Sequence, residues 1–170
     1  MRKIQFYYFI FFCSALVVGC TNNKTQNEIA LKKINITWLY SIIKNSDSTY
    51  SKKYRTTDFA TTDYYLSNKD SSMCQLMKDT SKTIRQILIT RKNIRTYFAQ
   101  YFANGQLITD IKLDSFGQPD GNAIYYYENG KIKSNGLYHH GLAIGEWKEF
   151  EETSNAVSII KYDSSGVRKN

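Results

Sequence analysis

The chain lacks an apolar run of the roughly 20 residues that a helix needs to cross a bilayer core. Its longest stretch, from Ile4 to Val18, falls short of that, and no basic stop-transfer flank follows it, which argues against a permanent transmembrane helix. Histidine is scarce, with two residues in 170, so there is little base to serve acid–base or nucleophilic chemistry. Ser and Thr are plentiful, yet no Gly-x-Ser-x-Gly elbow and no Gly-rich phosphate loop occurs. Glu-x-x-His, Cys-x-x-Cys and calcium-loop spacings are missing too, so no metal and no cofactor is expected. Together these absences argue against an enzyme. The 23 basic residues outnumber 15 acidic ones but are scattered singly or as Lys-Lys pairs, and nucleic acid is not the expected partner.

What is present begins with an address. Arg2 and Lys3 precede the apolar run from Ile4 to Phe12, and the hydrophobic stretch closes on Val17-Val18-Gly19-Cys20. A basic start before a short apolar segment is a secretory signal. The last four of these residues resemble a lipobox, which implies diacylglyceryl transfer to the Cys20 thiol and cleavage after Gly19. Residues 1–19 then form the signal peptide, and residues 20–28 the lipidated cysteine with a polar tether. Acyl chains contribute about 0.8 kcal/mol per buried methylene, so two or three would hold the chain stably at a membrane. The expected location is the cell envelope, on the periplasmic face of an outer membrane or at the cell surface. No acidic cluster follows Cys20, which leans towards the periplasmic face. Losing residues 1–19 removes Arg2 and Lys3 and no acid, leaving 21 basic residues against 15 acidic, a balance of +6 that suits an anionic envelope surface.

Of three cysteines, Cys13 lies in the signal and Cys20 is consumed by lipid. Cys74 remains without a partner for a disulfide in the same chain, and its alternation with Met73 and Gln75 predicts a buried thiol in a strand. The mature length is that of one small domain, expected as a monomer.

Residues 29–71 are predicted as a mixed segment. Leu31, Ile34, Trp38 and Ile42 recur at helical spacing, although Ile34-Asn35-Ile36 also alternates like a strand. The stretch from Asn45 to Asp63 carries no assignable pattern. From Ser72 onward, alternating runs separated by turn residues predict an all-β meander. Ser72 to Met77 and Thr83 to Thr90 flank a turn, Ile94 to Ala103 and Gln106 to Leu113 flank Asn104-Gly105, and Tyr125 to Glu128 and Lys131 to Tyr138 flank Asn129-Gly130. Asn-Gly predicts a type I′ hairpin turn, since both residues accept positive φ.

These hairpins belong to a longer period. Tyr101-Phe102-Ala103-Asn104-Gly105-Gln106-Leu107 returns 25 residues on as Tyr126-Tyr127-Glu128-Asn129-Gly130-Lys131-Ile132. Gly117 and Gly121 return as Gly141 and Gly145, and a third copy runs from Glu146-Trp147-Lys148-Glu149-Phe150 to Gly166 with Thr153-Ser154-Asn155 in place of Asn-Gly. Thr96 stands where an earlier copy would have Gly, so that copy is degenerate. In Lys131 to Tyr138, residues Ile132, Ser134, Gly136 and Tyr138 share one face, where Gly136 leaves room for aromatic rings.

Over roughly Tyr97 to Gly166 the sequence resembles the MORN-repeat-variant family, a bacterial group often labelled YwqK-type antitoxin. The match rests on Tyr126 to Lys133, Gly136-Leu137-Tyr138, Gly141 to Gly145 and Trp147 to Phe150. The resemblance implies hairpins stacked edge to edge into an elongated antiparallel sheet over residues 72–170, a mainly all-β fold. An open sheet must cover its ends and one face, and Ile29 to Leu66 is the expected cover.

Candidate chemistry is thin. His139 and His140 lie in a turn and, as chain neighbours, are expected to point apart into solvent. Asp58, Asp63 and Asp70 lack any metal-ligand spacing, and Asp114 and Asp163 fill equivalent positions where Asp forms turns. Aromatic stripes of this kind are more often sheet core than ligand platform. The leading expectation is a membrane-anchored, non-catalytic scaffold or binding surface for an unidentified envelope protein or other envelope component. Two alternatives stand beside it: a toxin-neutralising or immunity lipoprotein, suggested by the family label, and lipid-headgroup binding by the repeat sheet.

Overall fold

The computed structural model describes residues 39–55, 59–154 and 156–169. The signal, the Gly19-Cys20 bond, the tether, the stretch from Ile29 to Trp38 and Asp58 lie outside the described residues. The chain divides into two units, residues 1–45 and 46–170.

In the first unit, helix α1 spans Leu39–Lys44. Its fully buried residues are Leu39 and Ile43, one helical turn apart, and Ile42 is only partly buried. The apolar stripe is therefore rotated by one residue from the Trp38/Ile42 spacing expected. Asn45 N–H donates to the Ser41 carbonyl at 3.0 Å and Lys44 sits in the last turn, where a cation is favoured.

The second unit is all-β. Eleven strands run in chain order: β1 Ser48–Lys53, β2 Thr61–Ser67, β3 Ser72–Lys78, β4 Ile84–Arg91, β5 Ile94–Tyr101, β6 Leu107–Lys112, β7 Gly121–Tyr126, β8 Ile132–His139, β9 Leu142–Phe150, β10 Val157–Tyr162 and β11 Arg168–Lys169. Every strand pairs antiparallel with its chain neighbours in one uninterrupted meander. Ten spacings of about 4.8 Å make the sheet roughly 48 Å wide. Residues 48–53 and 61–67, expected to cover the sheet, instead extend it by two strands. Polar stretches such as Ser48–Lys53 make poor alternating patterns but good edge strands, whose lysines discourage pairing with other chains.

Burial is uneven across the two faces. On face A, the paired residues Tyr65, Cys74, Ile89 and Tyr97, and beside them Leu76, Ile87 and Ala99, are all at most 9 % exposed. Lys78 and Asp63 form an ion pair at 2.7 Å on this face, and Ser51 Oγ donates to the same carboxylate at 2.6 Å. Face B holds a second cluster further along the sheet, where Ile111, Ala123 and Trp147 are buried among Leu113, Tyr125, Tyr138, Ala143, Ile160 and Tyr162.

The repeats are visible in the turns, with a correction to their type. Gly105 and Gly130 have φ of 86° and 83°, but Asn104 and Asn129 do not have positive φ, so these are not type I′ turns. Each is a type I turn ending in a left-handed glycine, the three-residue hairpin loop. Gly105 N–H donates to the Phe102 carbonyl at 3.0 Å and Phe102 N–H to the Gln106 carbonyl at 2.9 Å, and Gly130 and Tyr127 repeat both bonds. Asn Oδ1 accepts from the second backbone N–H downstream, Gln106 at 2.8 Å and Lys131 at 2.9 Å. The same loop occurs at Asp79 to Thr83 with Lys82 in the left-handed position, at φ 64°. In the third copy Glu151 N–H reaches the Ala156 carbonyl, and Ser154 Oγ accepts from Ala156 N–H at 3.1 Å. True two-residue turns with positive φ at both positions occur instead at Lys92-Asn93 and His140-Gly141.

Candidate functional site

Face B carries aromatic rings on β1 and β2, on β5, and on β7 to β10. At the β1 end Tyr50 and Tyr64 stack with centroids 4.5 Å apart and planes 8° from parallel. The Lys52 ammonium lies 6.0 and 5.7 Å from the two centroids, within cation–π range. The Tyr54 and Tyr64 hydroxyls are 3.0 Å apart, and that hydrogen bond, with some burial, pushes the Tyr64 phenol up to about 12. Tyr50 and Tyr54 fall in the stretch that carries no assignable pattern, and the recurrence of Tyr at 50, 54 and 64 is the sequence signal for this cluster.

In the middle of the face a groove of about 550 Å³ is floored by Leu88, Phe98 and Ile111 and rimmed by Gln75, Gln86 and Arg95. A second, of about 670 Å³, lies over β7 to β10. Trp147 is its deepest ring. Tyr138 meets Trp147 edge-on at 4.9 Å and Tyr125 lies at 6.4 Å, while Trp147 Nε1 donates to the Leu137 carbonyl at 3.2 Å. The indole rests over Gly136, where a Cβ would overlap the ring. Between Asn135 and Leu137 the register shifts against β9, and Gly145 at φ 67° makes the irregularity that brings Trp147 across.

Repeat geometry builds this groove. Phe102, Tyr127 and Glu152, spaced 25 residues apart, line one wall, and Ile108 and Lys133, also 25 apart, project from matching register shifts at Gln100/Tyr101 and Tyr125/Tyr126. The bulge positions were missed in the sequence, although the 25-residue offset already aligned them. Glu128 and Glu149 add two more carboxylates. The Tyr125 and Tyr138 hydroxyls are 3.2 Å apart, and burial, then that hydrogen bond, pushes the Tyr125 phenol well above its ordinary range.

No family model matches the chain, and no curated protein does. Among solved structures, a crystal structure of the GtfA/B complex matches 72 % of this chain and 22 % of that one, with 6 % identity and a TM-score of 0.44. A crystal structure of TarM matches 68 % of this chain and 21 % of that one, with 13 % identity and a TM-score of 0.42. An S. aureus TarM variant matches 91 % of this chain and 32 % of that one, with 11 % identity and a TM-score of 0.43. The chain thus spans under a third of each structure it matches, and all three lie below the similarity that marks a shared fold or activity.

The other sequence candidates are scattered. Gly117, Gly141 and Gly166 occupy left-handed positions in turns on the edge opposite the Asn-Gly loops, and Gly121 has φ 98° at the start of β7. Asp114 and Asp163 cap equivalent turns: one carboxylate oxygen of each accepts two backbone N–H groups at 2.8 and 2.9 Å. Bonds from His140 and from these amides hold the Asp114 carboxyl below its usual range; the backbone bonds do the same for Asp163. His139 and His140 do not point apart. The positive φ of 47° at His140 takes it out of strand geometry, and their rings lie 4.2 Å apart. His140 Nδ1 is 2.6 Å from Asp114 and His139 Nδ1 is 3.1 Å from Asp120, in an exposed turn. Among the described residues no group of three or more metal-ligating side chains converges. Asp63 is committed to Lys78 and Ser51, and Asp70 accepts from Ser72 N–H at 3.2 Å. Cys74 is fully buried, and burial raises its thiol to about 12.

Proposed function

We propose that the chain is a non-catalytic binding protein that presents face B of its sheet to a component of the cell envelope, held near the membrane through lipid on Cys20. The observation that carries this reading is the set of partly exposed aromatic side chains on face B, several of which line two open grooves. A face that only had to close a core would bury such rings as completely as face A buries Tyr65 and Tyr101, each 1 % exposed. Both histidines are tied to Asp in an exposed turn, and among the described residues no Ser, Thr or Cys is bonded to either ring. The MORN-like reading of the repeat and the envelope address belong to the same proposal and rest on the sequence motifs.

Site-specific photo-cross-linking in intact cells tests it. A photoreactive residue at Phe98 or Lys133, on the grooves, is expected to capture a specific envelope component, and the same residue at exposed Lys161 is not. Equal labelling from all three positions, or none from any, would count decisively against a binding face.

A further inference from the structure

We propose that the groove over β7 to β10 binds a neutral glycan chain, a deepening of the binding-face reading and resting on it. Charge narrows the ligand first. Glu128, Glu149 and Glu152 line the groove with Lys133, and Lys131 Nζ reaches the Glu152 carbonyl at its edge at 3.0 Å, so its walls keep a small local negative balance on a protein with a formal charge of +8. Phosphate headgroups and anionic polymers meet like charge there and are disfavoured.

Hydrogen-bonding capacity separates a glycan from a basic peptide. An ammonium or guanidinium only donates, and would be met by acceptors alone. This groove offers both kinds of group. The Tyr125 and Tyr138 hydroxyls share one hydrogen bond at 3.2 Å, which leaves the pair a further proton and several lone pairs. Ser134, paired across the strands with Tyr125, lines the same groove. Glu152 is partly spent, because Asn129 Nδ2 donates to its Oε1 at 3.0 Å, and the Lys133 ammonium is drawn over the Tyr127 ring at 5.8 Å. Vicinal sugar hydroxyls both donate and accept, and match such a mixture. The apolar faces of pyranose rings pack against aromatic rings, which the groove supplies in Tyr127 and Tyr162. The groove is open along its length and follows the repeat, a shape for a polymer passing across the sheet.

The experiment is a binding titration of the full chain in detergent against short linear oligomers of N-acetylglucosamine and of glucose, with oligolysine and anionic lipid vesicles in parallel. Binding of a neutral oligomer is expected, with little dependence on salt, and about tenfold weaker in each of Tyr138→Phe and Glu149→Gln, which remove one hydroxyl or one charge at constant shape. Unchanged thermal melting of both variants separates lost contacts from lost folding. The proposal is overturned if no neutral oligomer binds, if both variants bind as well as the parent, or if oligolysine or vesicles bind more tightly with a steep salt dependence. Should it fall while cross-linking from Lys133 still captures a specific envelope protein, the binding-face reading survives with a protein ligand.

Discussion

At the scale of single residues, two positions show how the sheet tolerates little change. Gly136 lies under the Trp147 indole, so even a methyl group must push the ring out of its place. Gly136→Ala is expected to destabilise the protein by about 1–3 kcal/mol, the range for overpacking a tight contact. A lowered urea midpoint, with an altered Trp147 emission band in a Trp38→Phe background, would register it; an unchanged midpoint would mean that the indole is free to move. Cys74 makes a prediction about pH. In the fold its thiol ionises at about 12, whereas an exposed thiol does so near 8.5. The folded state holds the proton where the unfolded chain releases it, so this contribution is intact below about pH 8.5 and is lost progressively as pH rises towards 12. Cys74→Ala should flatten the alkaline limb of a stability-against-pH curve measured between those limits. An equally steep limb in the variant would place the effect elsewhere, in the buried phenols of Tyr97 and Tyr101, which burial also raises.

At the scale of the element, the hairpin loops explain why asparagine precedes glycine. Aspartate would serve the turn itself, since it too can accept from the second N–H downstream, as Asp163 does from Ser165 N–H at 2.8 Å. Asparagine adds a donor. Asn104 Nδ2 reaches the Glu128 carbonyl at 3.1 Å and Asn129 Nδ2 reaches Glu152 at 3.0 Å, so each loop is tied to the next one along the edge. Asn129→Asp keeps the turn, loses this tie and sets a second carboxylate against Glu152. The expected cost is about 0.5–1 kcal/mol, recovered in part by Glu152→Gln, and a double-mutant cycle in urea measures the coupling. A coupling of zero would mean that the ladder is incidental. The loops also mark what could be read in advance. Their positions and 25-residue period were legible because Gly105 and Gly130 answer a local demand for left-handed backbone. Their class was not, because a type I turn with a bulge and a type I′ turn both accept Asn-Gly. The true type I′ turn at Lys92-Asn93 was hidden by a lysine in a conformation it adopts only under constraint from the paired strands. Strands β1 and β2 stayed illegible since pairing, not patterning, makes Ser48–Lys53 a strand. The groove was illegible for a related reason: Ile108 and Lys133 face it through bulges that no alternation pattern predicts.

At the scale of the whole sheet, backbone pairing runs only between neighbouring strands among the described residues, so stability need not be shared evenly along it. Strands β3 to β5 carry Cys74, Leu76, Ile87 and Ala99, all at 0 % exposure. By β10 the apolar residues Val157 and Ile159 are 47 % and 55 % exposed, and β11 covers only the end of that strand, at Lys161 and Tyr162. Hydrogen exchange should therefore divide the meander. Amides of β3, β4 and β5 are expected to exchange only through global unfolding, and those of β9 and β10 through local opening at free energies several kcal/mol lower. The division ought to fall near β6 and β7, whose ladder holds two residue pairs, Thr109 with Tyr125 and Asp110 with Ile124. Denaturant makes the test specific: exchange in β9 and β10 should stay nearly flat with added urea while that in β3 to β5 steepens. Uniform protection from β2 to β10 would sink the idea and would mean that the Trp147 cluster couples the two ends into one cooperative unit. A glycan held in the groove over β7 to β10 would act on the weaker end, slowing exchange in β8 and β9 while leaving β3 to β5 at their own limit.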